Sequence, residues 1–359
     1  MRFAGIESQR FTDRPILLTG HTGFKGAWFQ QLLQYLGYEV AGYSLGSQPG
    51  SLYSEIQPKR AIHERFGDIR NQSEIKSFVS SVKPEIIFHF AAQAIVLESY
   101  ADPIGTFSTN VMGTANLLES AFACDSVKVV AVVTTDKVYE NQDSGKKFLE
   151  SDPLMGKDPY SASKVGAEQV VAAWRQIGKV SGGPSVISLR AGNVIGGGDV
   201  SPSRLMPQLI NSLTTGDKLF IRNPQATRPW QHVLDPLHGY LKAVEYQLAG
   251  NDESAFNFSC DSDSLTVSEV VTSACEQWGA RVDDVVEYNR QPNSLIEARS
   301  LDLDSTKSRN ILQWTSKWSQ KQAVESSISW WKNFKTLGHS PTELCNSEIE
   351  FSMETIKNN

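Results

Sequence analysis

Cysteine is scarce in this 359-residue chain: there are four, Cys124, Cys260, Cys275 and Cys345. No two have CxxC spacing, which argues against a zinc ribbon and a redox dithiol. Scattered cysteines without a framework fit a reducing compartment. Long apolar runs are also lacking, and none approaches the roughly 20 residues that cross a bilayer. The opening stretch MRFAGIESQRFTDR has no apolar segment of the signal-peptide kind. Nor is there an excess of positive charge: 34 Lys and Arg stand against 40 Asp and Glu, net −6. A nucleic-acid binder would normally show a basic footprint. These absences lead us to expect a cytoplasmic protein with neither nucleic acid nor membrane as partner and no metal site. They leave room for a small anionic ligand held by a few Arg and Lys side chains.

What is present is apolar content: 40% of the residues are hydrophobic, enough to build a real core. The first half alternates strand and helix signals. PILLTG (15–20), YEVAGYSL (38–45), a weaker RFGDI (65–69), EIIFHFAA (85–92), VKVVAVVTT (127–135) and PSVISLRAG (184–192) read as strands. Helical spacing fills the intervals between most of them. Such alternation implies parallel pairing with right-handed crossovers. The predicted fold is α/β, a doubly wound parallel (Rossmann) sheet over 1–191. From 192 to 338 Gly and Pro become frequent, and short strands (KLFIR, WQHVL, AFNFS) mix with helices. That stretch reads as a smaller mixed α/β substrate-binding lobe, which could exchange segments with the first domain. The polar residues 339–359 read as an appendage or a poorly ordered tail.

TGHTGFKG sets Gly20, Gly23 and Gly26 three residues apart between the first strand and helix. Glycines there permit a tight turn and close approach of a pyrophosphate to a helix N-terminus. The acid expected at the end of the second strand, to hold the adenine ribose, is missing; the sequence reads YSLGS, with Ser44 as a weak substitute. No Arg or Lys lies at 44–48 to meet a 2′-phosphate. NAD is therefore preferred over NADP, with Lys25 the one basic residue that could upset the choice. Asp68, in GDI, could lie beside the adenine or simply make a turn.

In DPYSASK, Tyr160 and Lys164 are one helical turn apart on the same face. A lysine ammonium and a nicotinamide cation would favour the phenolate. The strand VKVVAVV delivers TTDKVYEN at its carboxyl end, where ligands of such sheets sit. Thr135 could then share a sugar hydroxyl with Tyr160. A solvated strand end is the alternative for this segment.

Taken together, TGHTGFKG, FHFAAQ, STNVMGT, TTDKVYEN, DPYSASK, LRAGNVIGGGD, IRNPQATRPWQHVL and LDLDSTK resemble the extended short-chain dehydrogenase/reductase family over about residues 15–335. More narrowly, GHTGFKG, TTDK and RPWQHV together resemble its CDP-glucose 4,6-dehydratase branch. The resemblance implies C4 oxidation by NAD, elimination of water across C5 and C6, and return of the hydride to C6. It implies Thr135, Tyr160 and Lys164 as the oxidation set and Asp136 as the acid for the departing hydroxyl. Lys137 stands where dehydratases of other nucleotides carry Glu. Two roles are open to it, neutral base at C5 or stabiliser of the enolate; Glu140 is a reserve base. Cofactor contacts implied are Gly20, Thr22, Gly23, Phe24, Lys25, Gly26, Asp68, Ile69, Ala91, Ala92, Gln93 and Asn110, with Tyr160 and Lys164.

For the substrate, Arg228 (RPWQHV), Arg222, Arg204 and Arg299 are candidate phosphate partners. Asn193 could donate to the diphosphate, and Ser99 and Tyr100 could touch the sugar; Trp230 and His232 could simply pack. Leu97, Ala94 and Val200 depart from the branch pattern, leaving the exact base and sugar open. Competing readings are an NAD-dependent sugar-nucleotide 4-epimerase and a non-catalytic NAD-binding sensor or scaffold. A homo-oligomer, dimer or tetramer, is expected, with the helices near 111–123 and 160–176 as candidate faces.

Overall fold

The computed structural model describes residues 12–56, 63–143, 145–262, 264–288 and 301–354. Seven strands form the central sheet: β1 (Ile16–Thr19), β2 (Val40–Ser44), β3 (His63–Phe66), β4 (Ile86–His89), β5 (Val129–Val133), β6 (Ser185–Ala191) and β7 (Ala255–Phe258). All pair in parallel, in the spatial order β3-β2-β1-β4-β5-β6-β7. The order reverses between β1 and β4, and the crevice above such a switch point is where α/β sheets bind ligands.

Helices cover both faces, so inner strands are near-continuous apolar runs. Successive side chains of a strand point to opposite faces, and the core divides accordingly. Ile16, Leu18, Ile86, Phe88, Ile187 and Leu189 face α1 (Phe24–Tyr35) and later helices. Leu17, Ile87, Val130 and Val132 face α2 (Gln72–Val82), α3 (Gly113–Phe122) and α4 (Pro159–Ser181). The edge strand β3, HERF, is exposed along its length; its charges discourage pairing with another sheet.

Three further helices matter for the site: α5 (Leu205–Thr215), α6 (Leu234–Leu248) and α7 (Val267–Trp278). Among the described residues no helix is long and apolar enough to cross a membrane.

The structure departs from the sequence reading in two places. AFNFS does not belong to a separate set of strands: it is β7, paired with β6. Periodicity cannot tell where a short, fully buried strand pairs. The tail is not loose either. After α8 (Gln320–Leu337), residues Pro341–Glu354 form α9, with Cys345 and Ile349 fully buried. Gln31 Nε2 donates to Asn346 Oδ1 at 2.7 Å, and Glu348 pairs with His232 at 3.0 Å. The buried stripe is Cys345, Ile349 and Ser352; only Ile349 is strongly apolar, which hides the helical periodicity. The largest core cluster runs from Ile16 to Ile349, so both parts of the chain share it.

Candidate active site

β1 ends in a turn that only glycine fits. Gly20 has φ +73°, and a Cβ on it would lie 2.6 Å from Ala91 N, at the exit of β4. A Cβ on Gly26 would lie 2.1 Å from Gly20 O. Gly23 caps α1 without a side-chain bond, and the first turn carries no acidic residue, leaving helix N–H groups for an anion. A cradle that a Cβ would fill is what a closely approaching pyrophosphate requires, so these residues fit NAD. Gly26→Ala is accordingly expected to abolish cofactor retention, read as loss of bound nicotinamide in the purified, folded protein.

The adenine end is more closed than expected. Ser44 is buried and its Oγ lies 2.7 Å from Thr22 Oγ1, which also donates to Leu45 O at 3.0 Å. Asp68 is gripped by Arg70 through Nε at 2.9 and 3.0 Å, which holds its carboxyl below the usual range. Ile69 is buried against Gly113. Asn110 serves as a brace: its Oδ1 accepts from Gln93 N at 2.8 Å, and its Nδ2 donates to Gln93 O and to Ser163 Oγ. It ties the Ala91–Gln93 exit of β4 to α4. Lys25 is not at the β2 end, where a 2′-phosphate would be read. It donates to Tyr240 OH at 3.3 Å.

At the end of β5 the segment TTDK turns into one helical turn, Asp136–Val138, with Thr135 Oγ1 accepting from Lys137 N at 3.3 Å. Thr135 donates to Asp136 Oδ1 at 2.8 Å and acts on Tyr160, favouring its phenolate. Asp136 is only 2% exposed, and Lys137 Nζ lies 3.9 Å from its Oδ1. A Cβ on Gly192 would meet Asp136 Oδ2 at 3.1 Å and Pro229 Cγ at 2.8 Å, so the LRAGN motif lies beside the carboxylate and RPWQHV packs on LRAGN.

Tyr160 and Lys164 project from the start of α4, which Asp158 caps by accepting from Ser161 N at 2.9 Å. Lys164 donates to Val133 O at 2.9 Å. Burial lowers it to about 8, with Glu168 acting the other way. Burial pushes Tyr160 up to about 12; Thr135 and Arg204 oppose this, and Asp136 adds to it.

A buried ionic network beneath this cluster escaped the sequence reading. Arg190, on β6, grips Glu168 bidentately, Nε to Oε1 at 2.9 Å and Nη2 to Oε2 at 2.8 Å. Glu168 also accepts from Thr134 Oγ1 at 2.6 Å, and Arg190 donates to Tyr139 OH at 2.8 Å. The network therefore fastens the residues flanking Thr135–Lys137 to the helix of Tyr160 and Lys164. Glu168 lies four residues after Lys164, on the same helix face, and that spacing was the available signal.

The other substrate candidates divide. Arg204 joins the cluster: it binds Asp199 at 3.0 Å and acts electrostatically on Tyr160 and Lys25. Arg228 is half-buried and donates to Thr227 O at 2.7 Å. Arg222 is exposed beyond the short strand Leu219–Ile221, and Arg299 lies outside the described residues. Asn193 is half-buried, its carbonyl accepting from Gln231 N at 3.3 Å. Ser99 is a correction. It is fully buried, and its Oγ accepts from Tyr160 N at 3.1 Å. It satisfies one of the open N–H groups of α4 instead of facing a sugar. Tyr100 and Leu97 are exposed, while Val200 packs on the large core. Trp230 and His232 are buried; His232 stacks on Trp318 with ring centres 4.1 Å apart.

Comparison with known proteins agrees with this geometry. The sequence model of the NAD dependent epimerase/dehydratase family matches residues 16–258. The CDP-glucose 4,6-dehydratase of Salmonella typhimurium is 36% identical over 336 residues, 91% of this chain and 93% of that protein. Among solved structures, DesIV of Streptomyces venezuelae, a dTDP-glucose 4,6-dehydratase with NAD and TYD bound, superposes with TM-score 0.76 at 25% identity. The match covers 91% of this chain and 99% of that one. The dTDP-glucose 4,6-dehydratase of Bacillus anthracis in complex with NAD gives TM-score 0.75 at 25% identity, over 92% and 99% of the two chains. A family match over more than half of the chain, on a sheet that superposes on those of the solved relatives, places this chain in the NAD-dependent epimerase/dehydratase family.

Proposed function

We propose that this protein converts CDP-glucose to CDP-4-keto-6-deoxyglucose, as a 4,6-dehydratase with NAD as resident cofactor. The observation that carries this reading is the buried Asp136, which accepts from the Thr135 hydroxyl at 2.8 Å and has Lys137 Nζ 3.9 Å away. A 4-epimerase needs the threonine, tyrosine and lysine, but no acid for a departing 6-hydroxyl. When bound, NAD supplies a two-electron acceptor that takes the C4 hydrogen and gives it back at C6. Tyr160, helped by Thr135, accepts the 4-hydroxyl proton; the positive charge of the nicotinamide lowers the phenol from the raised value set by burial. Lys164 holds the cofactor side of the pair.

The 4-ketone so formed acidifies C5–H, and the 6-hydroxyl lies β to it. Asp136 donates a proton to that hydroxyl as it leaves. Lys137, beside Asp136 and partly exposed, removes the C5 proton or holds the enolate charge. Arg204 and Arg228 take the substrate diphosphate, with Arg222, Asn193 and Tyr100 as outlying contacts and Arg299 as a further candidate from its sequence. Lys137→Ala is expected to reduce bound cofactor on mixing with CDP-glucose yet stall before water is lost. Near-ultraviolet absorbance of the reduced nicotinamide, followed beside product mass, checks this; dehydration at the normal rate removes Lys137 from the elimination.

We further propose a cytoplasmic homo-oligomer, and a division at 191/192 into cofactor and substrate parts. Support for assembly is the exposed apolar row Ile104, Phe107 and Met112 leading into α3; Leu117, Leu118 and Ala121 of α3 itself face the sheet. Ile104→Asp is expected to shift the protein toward monomer in sedimentation velocity, and an unchanged distribution places the interface elsewhere.

A further inference from the structure

FHFAAQ and STNVMGT carry buried polar side chains to which the reaction assigns no part. His89, the last residue of β4, stands beside Thr19 of β1 in the register of the sheet. Its Nδ1 lies 2.7 Å from Thr19 Oγ1, and its Nε2 lies 3.1 Å from Thr114 Oγ1 at the start of α3. All three side chains are buried. The Thr114 hydroxyl donates to Asn110 O at 2.7 Å, and Thr19 Oγ1 accepts from Ala91 N at 3.3 Å.

These neighbours leave one arrangement of protons. A threonine has a single hydroxyl hydrogen, and that of Thr114 goes to the Asn110 carbonyl. Thr114 therefore accepts from His89, whose Nε2 carries the ring proton. Nδ1 is then the acceptor, and Thr19 donates to it while accepting from Ala91 N. Burial, with Lys164 adding to it, lowers the ring to about 3, in keeping with a neutral imidazole. The bonds run one way, from the Ala91 amide to the Asn110 carbonyl. Asn110 closes them into a ring, because its side chain holds Gln93 N at 2.8 Å and Gln93 O at 3.0 Å. The exit of β4 is thus pinned at both Ala91 and Gln93. On one side it meets the glycine turn, where a Cβ on Gly20 would lie 2.6 Å from Ala91 N. On the other, Asn110 reaches Ser163 Oγ at 2.8 Å, and Ser163 donates to Tyr160 O at 2.6 Å.

We propose that His89 is a positioning residue for the redox step: with Thr19 and Thr114 it holds Ala91–Gln93, and through that segment the cofactor, in register with the helix of Tyr160. The proposal rests on the reading of function above, with Ala91, Ala92 and Gln93 among the cofactor contacts. Stability alone does not call for the ring of bonds, since apolar groups of the same shape can replace a buried hydrogen-bonded pair at little cost. A fully satisfied buried network instead fixes one arrangement of the parts it joins. Removal of the C4 hydrogen with its electron pair, and of the hydroxyl proton by Tyr160, needs such an arrangement. A displacement near 1 Å costs about 100-fold in rate.

The test is a single turnover at saturating NAD. Full-length protein is mixed with CDP-glucose, or with its C4-deuterated form, and reduced nicotinamide is followed by absorbance. Thr114→Val keeps the shape of the side chain and removes the hydroxyl, whereas Thr114→Ser keeps the hydroxyl and removes a methyl. Thr114→Val and His89→Leu are expected to form reduced nicotinamide about 10- to 100-fold more slowly, with a larger deuterium isotope effect than wild type. Thr114→Ser is expected to stay close to wild type in both. A role in packing alone gives the opposite order, with the serine variant the more impaired, and leaves the isotope effect unchanged. That order, or a valine variant that oxidises C4 at the wild-type rate, overturns the proposal and leaves the dehydratase reading intact. If His89→Leu does not fold, the Thr114 pair decides. Wild-type protein that forms no reduced nicotinamide from CDP-glucose overturns both.

Discussion

Asp136→Asn is expected to oxidise C4 at close to the wild-type rate and to lose dehydration by about 10²–10⁴-fold, the usual worth of a positioned general acid. The amide keeps an oxygen for the Thr135 hydroxyl, now at 2.8 Å from Asp136 Oδ1, so the geometry around Tyr160 survives. What disappears is the proton that the departing 6-hydroxyl needs. Mixing the variant with CDP-glucose should give a lasting burst of reduced nicotinamide without product. Glutamate is no substitute: its added methylene moves the carboxyl away from the place that Asp136 holds beside Thr135 and Gly192. Dehydration by Asp136→Asn at the normal rate would show that another group supplies the proton.

Arg190→Met carries the second large effect, this time on the scaffold. It leaves Glu168, 5% exposed, as an uncompensated buried carboxylate, at a cost of about 3–5 kcal/mol. A thermal or denaturant scan should show the loss. The double variant Glu168→Leu with Arg190→Met removes both charges and should recover much of the stability. It should not recover turnover, because Thr134 loses its acceptor and Lys164 loses the neighbouring carboxylate. A double variant with normal turnover would make the network a matter of stability alone.

Much of the site is legible in sequence because its parts are local. Gly20, Gly23 and Gly26 fall within one turn, Tyr160 and Lys164 within one helical turn, and Thr135 to Lys137 are consecutive. What a neighbour across space decides is not legible. The sequence cannot say that Lys25 faces Tyr240, 215 positions away, instead of the end of β2. Ser99 sits in a stretch that reads as a pocket rim, and only the arrival of α4 buries it. Glu168 reads as an ordinary charged position on a helix until Arg190, from the next strand, is seen to grip it. The fold follows the same division: strand–helix alternation announces the parallel sheet through β6, whereas β7 and α9 depend on which distant surface they cover.

The most direct test of the central claim is the fate of the C4 hydrogen. CDP-glucose deuterated at C4 is turned over in ordinary water, and the product is read by mass and by magnetic resonance. The account predicts a 4-keto sugar lighter by one water, with the deuterium on C6 and a solvent hydrogen on C5. A C4 epimer of unchanged composition, or a keto sugar whose C6 carries no deuterium, would contradict it.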